Sequence, residues 1–294
     1  MSVILAVLIG LIPPHLGAPP EDPAPVRLTH DGLPKLRPAW SPDGKRLAFA
    51  RQEEGGSRIR QYVREADGSL RRLTKRGEPE YDAVFAPDGK SLMIVTVKLS
   101  GTQGNLDLST VSAEGGETTA IDVDGGKLAH QEWPAWSPDG SRIAFSSTHE
   151  GNQEIYTSKP DGSDRVRVTR STGIDAHPCW TPDGKRILFA TDRWGGLEIA
   201  SAEPDGTNVV RLTKSPGLDD YPAVSPDGKR VAFVSHRTGD FEVFLMNIDG
   251  SDVRNLSDHP ARDTLPTWTP DGRRITFVSG RASEADLYER VVEP

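Results

Sequence analysis

The chain has 294 residues, 35% of them apolar and 27% charged, with a formal net charge of −8. No Lys/Arg block stands out, and phosphate binding needs a clustered positive face, so nucleic acid is excluded as a partner. The 29 Gly and 24 Pro make turns dense, which favours many short strands over long helices.

Val3 to Ile12 (VILAVLIGLI) is a continuous apolar run ended by Pro13 and Pro14. It is too short for a bilayer span, which takes roughly 20 residues, so no stable membrane insertion is expected. It suits the apolar region of a signal peptide, with Leu16-Gly17-Ala18 supplying small residues for cleavage, although Met1-Ser2 lacks the usual basic residue. The expectation is a signal peptide over 1–18, a linker over 19–26 (PPEDPAPV), and a domain over 27–294 in the periplasm or secreted. The one cysteine, Cys179, has no internal disulfide partner, so the fold stands on packing.

From residue 27 onward the chain repeats. Pro-Asp-Gly triplets begin at Pro42, Pro87, Pro138, Pro182, Pro226 and Pro270, in steps of 45, 51, 44, 44 and 44 residues. Two residues before each triplet stands Trp40, Phe85, Trp136, Trp180, Val224 or Trp268, and Pro precedes that position by two in every unit except at Ala83. Ser-Pro-Asp-Gly reads as a turn, with Pro pre-setting φ and Gly taking a positive φ. Alternating strands follow, such as Arg46-Leu47-Ala48-Phe49 and Arg186-Ile187-Leu188-Phe189, and then a third strand such as Glu154-Ile155-Tyr156. A second turn, such as Asp161-Gly162-Ser163, leads to a fourth strand ending in Arg72-Leu73-Thr74, Arg167-Val168-Thr169, Arg211-Leu212-Thr213 or Asn255-Leu256-Ser257. Four short antiparallel strands in about 44 residues make one propeller blade. The repeated aromatic fills the space between neighbouring blades. The sixth unit stops after its third strand near Leu287–Val291, and its missing fourth strand matches Arg27-Leu28-Thr29. The prediction is an all-β, six-bladed propeller closed by the N-terminal strand, and a monomer.

The pattern Pro-Ala-Trp-Ser-Pro-Asp-Gly, a strand, Asp-Gly and Arg-Leu-Thr resembles the TolB-type, WD-like propeller repeat over residues 26–292. That resemblance implies a periplasmic propeller that holds a protein or peptide partner at its channel rim. The TolB α/β domain has no counterpart in this sequence, so only the propeller part carries over.

The loops before the inner strands are expected to line the channel mouth. Five residues before each repeated aromatic stand Lys35, Glu80, Gln131, Asp175, Asp219 and Asp263, with Asp82, Glu132, His177, Asp220 and Tyr221 alongside. Two readings compete. Asp175, Asp219 and Asp263 form an acidic ring for a partner or for Ca²⁺ or Mg²⁺, which take hard oxygen ligands, or each caps its own loop. No other cofactor is called for. His130 and His177 lie in neighbouring loops but are too few for a His-rich metal site. Trp194, on a turn, is a candidate contact residue. Blade two is longer by seven residues than its neighbours' period, around Leu99–Gly104 and Asp124–Lys127, and reads as a docking loop or as surface drift. No Gly-x-Ser-x-Gly elbow or phosphate loop occurs. A non-catalytic binding propeller is therefore the leading reading. A carbohydrate lyase or hydrolase using Asp175 and Asp219, and a scaffold module, are the alternatives.

Overall fold

The computed structural model describes residues 24–56, 58–100, 103–123, 129–282 and 285–292, with the backbone alone at 98–100 and 103–104. The expected signal peptide and most of the linker lie outside the described residues. Six four-stranded antiparallel sheets follow one another along the chain. Their inner strands are Lys35–Trp40, Glu80–Phe85, Gln131–Trp136, Asp175–Trp180, Asp219–Val224 and Asp263–Trp268. The sixth sheet takes its outer strand, Val26–Arg27, from the start of the domain. That strand pairs with Asp286–Val291, setting Val26 opposite Glu289 and Arg27 opposite Tyr288.

The Ser-Pro-Asp-Gly segment builds the same turn each time. In blade one the Asp43 carboxylate accepts from the Ser41 hydroxyl at 2.7 Å and from the Lys45 N–H at 3.1 Å. Gly44 sits at φ 70°, where a side chain is strained. The same bonds hold Asp139 to Ser137 and Ser141 and bring its carboxyl down to about 2. The second turn needs glycine for a further reason. A Cβ on Gly206 would lie 2.2 Å from the Val168 carbonyl oxygen of the preceding blade.

Large side chains fill the wedges between sheets. Phe49, Phe145, Phe189, Phe233 and Phe277, from the second strand of every blade but the second, are fully buried. One core cluster joins Ala144, Ile155 and Val168 of blade three to Ile187, Phe189 and Ala200 of blade four. The inner-strand tryptophans also reach back to the preceding blade. Trp180 Nε1 donates to the Ala135 carbonyl at 3.3 Å, Trp268 Nε1 to the Ala223 carbonyl at 3.0 Å, and Trp40 Nε1 to Thr276 Oγ1 at 2.9 Å.

The Arg-x-Thr ending of the outer strands grips a carboxylate on the third strand. Arg167 and Thr169 bond Glu154 at 3.0 and 2.6 Å, and Arg211 and Thr213 bond Glu198 at 2.7 and 2.8 Å. Arg27 and Thr29 do the same to Asp286, so the first strand repeats the ordinary blade chemistry across the joint. Lys35 Nζ adds a bond to Asp286 at 2.8 Å, with both side chains wholly buried. Burial pushes the Lys35 ammonium down, and Asp286 opposes that shift.

The extra residues of blade two extend a hairpin instead of forming a loop. Ser91–Ser100 and Gln103–Ser112 stay paired out to Ser100 opposite Gln103. The 124–127 segment lies outside the described residues.

Breaking a buried ion pair costs about 3–5 kcal/mol, because the remaining charge loses its partner. Lys35→Met and Asp286→Ala are each expected to lower the urea unfolding free energy by about that amount. A midpoint unchanged in both variants would show that closure does not rest on this pair.

Candidate functional site at the channel axis

The residue three positions before each repeated aromatic is Arg37, Asp82, Trp133, His177, Tyr221 or Leu265. All six have positive φ, between 49° and 56°. The cause is a bulge in every inner strand. In blade one Leu36 pairs with Ala50 and Ala39 with Ala48, so Arg37 and Pro38 together oppose one residue. Proline has no N–H for the ladder, which suits it to such a position. The bulge bends the strand and re-aims its side chains. The result is a ring of six unlike groups around the axis.

Below this ring lies the central channel, a cavity of about 440 Å³ lined by all six inner strands. Most of its lining side chains are apolar, with Pro38, Ala83, Pro134, Pro178, Pro222 and Pro266 at one level and Phe85, Trp136, Trp180 and Trp268 at another. Arg37, His177, Tyr221 and Leu265 line its ring end, whereas the exposed turn prolines Pro87, Pro138 and Pro226 line the other. Apolar walls with a few convergent polar groups are the common make-up of a ligand site.

His177 is the centre of the polar end. Its ring is 8% exposed and lies between Trp133 and Tyr221, with ring centroids 3.9 Å away on each side. Its Nδ1 lies 2.5 Å from Asp220 Oδ1, and its Nε2 is buried without a hydrogen-bond partner. Asp220 accepts, so the proton belongs on Nδ1 and Nε2 carries a free lone pair. Burial pushes the imidazole below its ordinary value, against the pull of Asp220. Burial, reinforced by Asp220, pushes the Tyr221 phenol up to about 12. Arg37 Nε is 3.3 Å from Asp82. Glu132 stands near this pair, accepts from Gln153 at 3.0 Å, and has its carboxyl raised by burial and by Asp82.

The three equivalent aspartates sit elsewhere. Asp175, Asp219 and Asp263 are fully buried and do not line the cavity. Each pairs with an arginine from the turn between the second and third strands of its own blade. Arg193 meets Asp175 at 2.8 Å, Arg237 meets Asp219 at 2.9 Å, and Arg281 meets Asp263 at 2.5 Å. Glu80 is likewise buried and accepts from Thr74. The three aspartates are thus bonded to arginines of their own blades, whereas Glu80 is bonded to Thr74 and the Gln61 N–H of blade one. Among the described residues no group of three or more His, Cys, Asp or Glu side chains is placed to hold a metal ion.

Trp194 lies apart from the channel. It is 39% exposed, with the Arg211 guanidinium 5.0 Å from its ring centroid, and it shares a surface groove with Lys214, Leu218 and His236. Cys179 lines the channel, and burial pushes its thiol up to about 12, which leaves little thiolate for chemistry.

Arg37, Trp133 and Leu265 were not singled out from the sequence, yet they complete the ring. Their common signal is the position itself, three before the repeated aromatic.

The histidine shift has a pH consequence. An unfolded histidine takes up a proton near about pH 6.5, whereas native His177 resists until lower pH. The unfolded state then binds more protons, so stability falls as pH drops through the ordinary value and levels off at the native one. His177→Phe is expected to flatten the part of the decline lying between about pH 7 and 5, measured by urea unfolding across that range. An unaltered profile would show that His177 does not contribute to it.

Comparisons with known proteins place the fold. A model of the TolB beta propeller domain matches residues 129–219, and a model of the Tricorn protease N-terminal beta propeller domain matches residues 195–293. A stretch of 43 residues is 44% identical to the Tol-Pal system protein TolB of Thioalkalivibrio sulfidiphilus, covering 15% of this chain and 10% of that relative. A structure from Agrobacterium tumefaciens, provisionally classed as TolB, superposes with a TM-score of 0.70 at 23% identity, covering 91% of this chain and 93% of that one. An oligogalacturonate lyase in complex with manganese superposes with a TM-score of 0.61 at 18% identity, covering 91% and 92%. The chain is a six-bladed β-propeller whose residues 129–219 match the TolB beta propeller domain.

Proposed function

We propose that this propeller is an exported, non-catalytic binding protein that holds a protein or peptide partner at the channel. The observation that carries the reading is the axial cavity. It is lined mainly by apolar side chains, with exposed turns at one end and the ring of Arg37, His177 and Tyr221 at the other. Asp82, Glu132 and Asp220 set the charge around that ring. The resemblance to TolB-type repeats supports a protein partner and a periplasmic setting. Trp194 and its groove offer a second contact area on the outside of the ring.

Buried aromatic residues in a binding pocket commonly carry about 2 kcal/mol or more. Tyr221→Ala is therefore expected to weaken capture of the partner from an envelope extract by roughly 30-fold, at unchanged secondary structure. Recovery of nothing above control by correctly folded wild-type bait would remove the reading.

A second reading is favoured by one observation, the His177–Asp220 pair on the cavity. A carboxylate-bound imidazole is suited to proton abstraction, and an oligogalacturonate lyase has a similar fold. On this reading the protein acts on a carbohydrate, with His177 in the role the sequence offered to Asp175 and Asp219. Polysaccharide screening with wild type beside His177→Asn tests it. Activity lost in the variant alone supports an enzyme, and equal background in both removes it. A metal, if this reading holds, would have to find ligands beyond the arginine-bound aspartates.

A further inference from the structure

We propose that the polar end of the channel is a carboxylate site, and that its occupant is the C-terminal carboxylate of a peptide whose last side chain is apolar. The inference rests on the binding reading above and specifies which part of the partner enters.

Three polar groups line the ring end of the cavity, and they differ in kind. Arg37 is a fixed cation. Its Nε lies 3.3 Å from Asp82, and among the described residues its two terminal nitrogens make no hydrogen bond. A guanidinium edge of that kind matches a carboxylate in a bidentate fork. The Tyr221 hydroxyl stays protonated and can donate, because burial pushes it up to about 12. His177 Nε2 is buried and lacks a partner, so it accepts from a ligand N–H. A terminal peptide unit carries these functions side by side, a carboxylate and, one carbon away, an amide N–H. The walls between this end and the surface are proline, alanine and tryptophan, which suits an apolar last residue.

An ammonium group fits less well. Asp82 and Asp220 pair with Arg37 and His177 and do not line the cavity, so Arg37 is the one charged side chain among its lining residues. Access to His177 Nε2 also requires movement. The imidazole lies against Trp133 and Tyr221, and Nε2 becomes reachable when Tyr221 shifts off it.

The test uses the whole chain and three probes: acetyl-Gly-Leu as the free acid, the same peptide as its carboxamide, and 4-methylpentanoate. Affinity is measured by calorimetry, and histidine ring nitrogens are followed by NMR. The free acid should bind at least about tenfold more tightly than the carboxamide, with the His177 resonances moving on binding. Arg37→Met should erase the difference between acid and amide, and Arg37→Lys should restore it in part; thermal melts establish that both variants fold. Equal binding of acid and amide, or His177 resonances that stay fixed at saturation, overturns the proposal. If 4-methylpentanoate binds as tightly as the peptide acid, the carboxylate site stands, but a small acid replaces the chain end as its occupant. Failure of extract capture alongside tight binding of the free-acid peptide removes the partner reading and leaves the carboxylate site. A captured partner held equally by wild type and Arg37→Met does the reverse.

Discussion

A ring of sheets must close on itself, and every other feature of this molecule depends on that constraint. Six wedges have to sum to a full turn, so an interface that is too thin or too thick is transmitted to its neighbours. The protein meets the constraint with repeated filling, one buried phenylalanine from most second strands and an aromatic from most inner strands. The joint between blade six and blade one is where chain continuity gives no help. There Asp286 is held by Arg27, Thr29 and Lys35 together. Two of these copy the grip on Glu154 and Glu198 elsewhere in the ring, and the lysine is particular to the joint. Hydrophobic filling fixes the thickness of the joint, and the buried charges fix its register.

Much of this architecture was legible in the sequence, because it follows from short-range chemistry that repeats. Pro-Asp-Gly marks a turn at every occurrence, and the split between Arg27-Leu28-Thr29 and the truncated last unit announces a circular closure. The role of Arg-x-Thr was not legible in the same way. Its partner is on another strand, and only the pairing of the third and outer strands brings Arg167 to Glu154. The acidic positions show the same limit. Asp175, Asp219 and Asp263 stand where the repeat suggests a channel ring, yet each is bound to an arginine 18 residues further on. That constant separation was present in the sequence as a second periodic signal.

The channel ring was harder to read, and the reason is conformational. Strict alternation along the inner strand assigns side chains to two faces, but the bulge breaks alternation at its third residue. A non-glycine residue with positive φ is uncommon, and a following proline ordinarily favours extended backbone. Neither tendency predicts what Arg37, Trp133, His177, Tyr221 and Leu265 do. The surrounding ring over-determines their conformation, and strain of this kind gathers where side chains are aimed at a ligand. Asp82 adopts the same conformation before Ala83, so the bulge belongs to the fold and does not depend on proline.

The six turns on the opposite face have a collective property. Each turn glycine lies beside the proline of the turn before it, Gly89 beside Pro42, Gly140 beside Pro87, and so on round to Gly44 beside Pro270, at 3.6 to 3.9 Å from where a methyl would stand. The spacing recurs at all six junctions, so the turns stand side by side as a collar around the aperture, and a guest entering from this face meets a rim of turn prolines and glycine backbone.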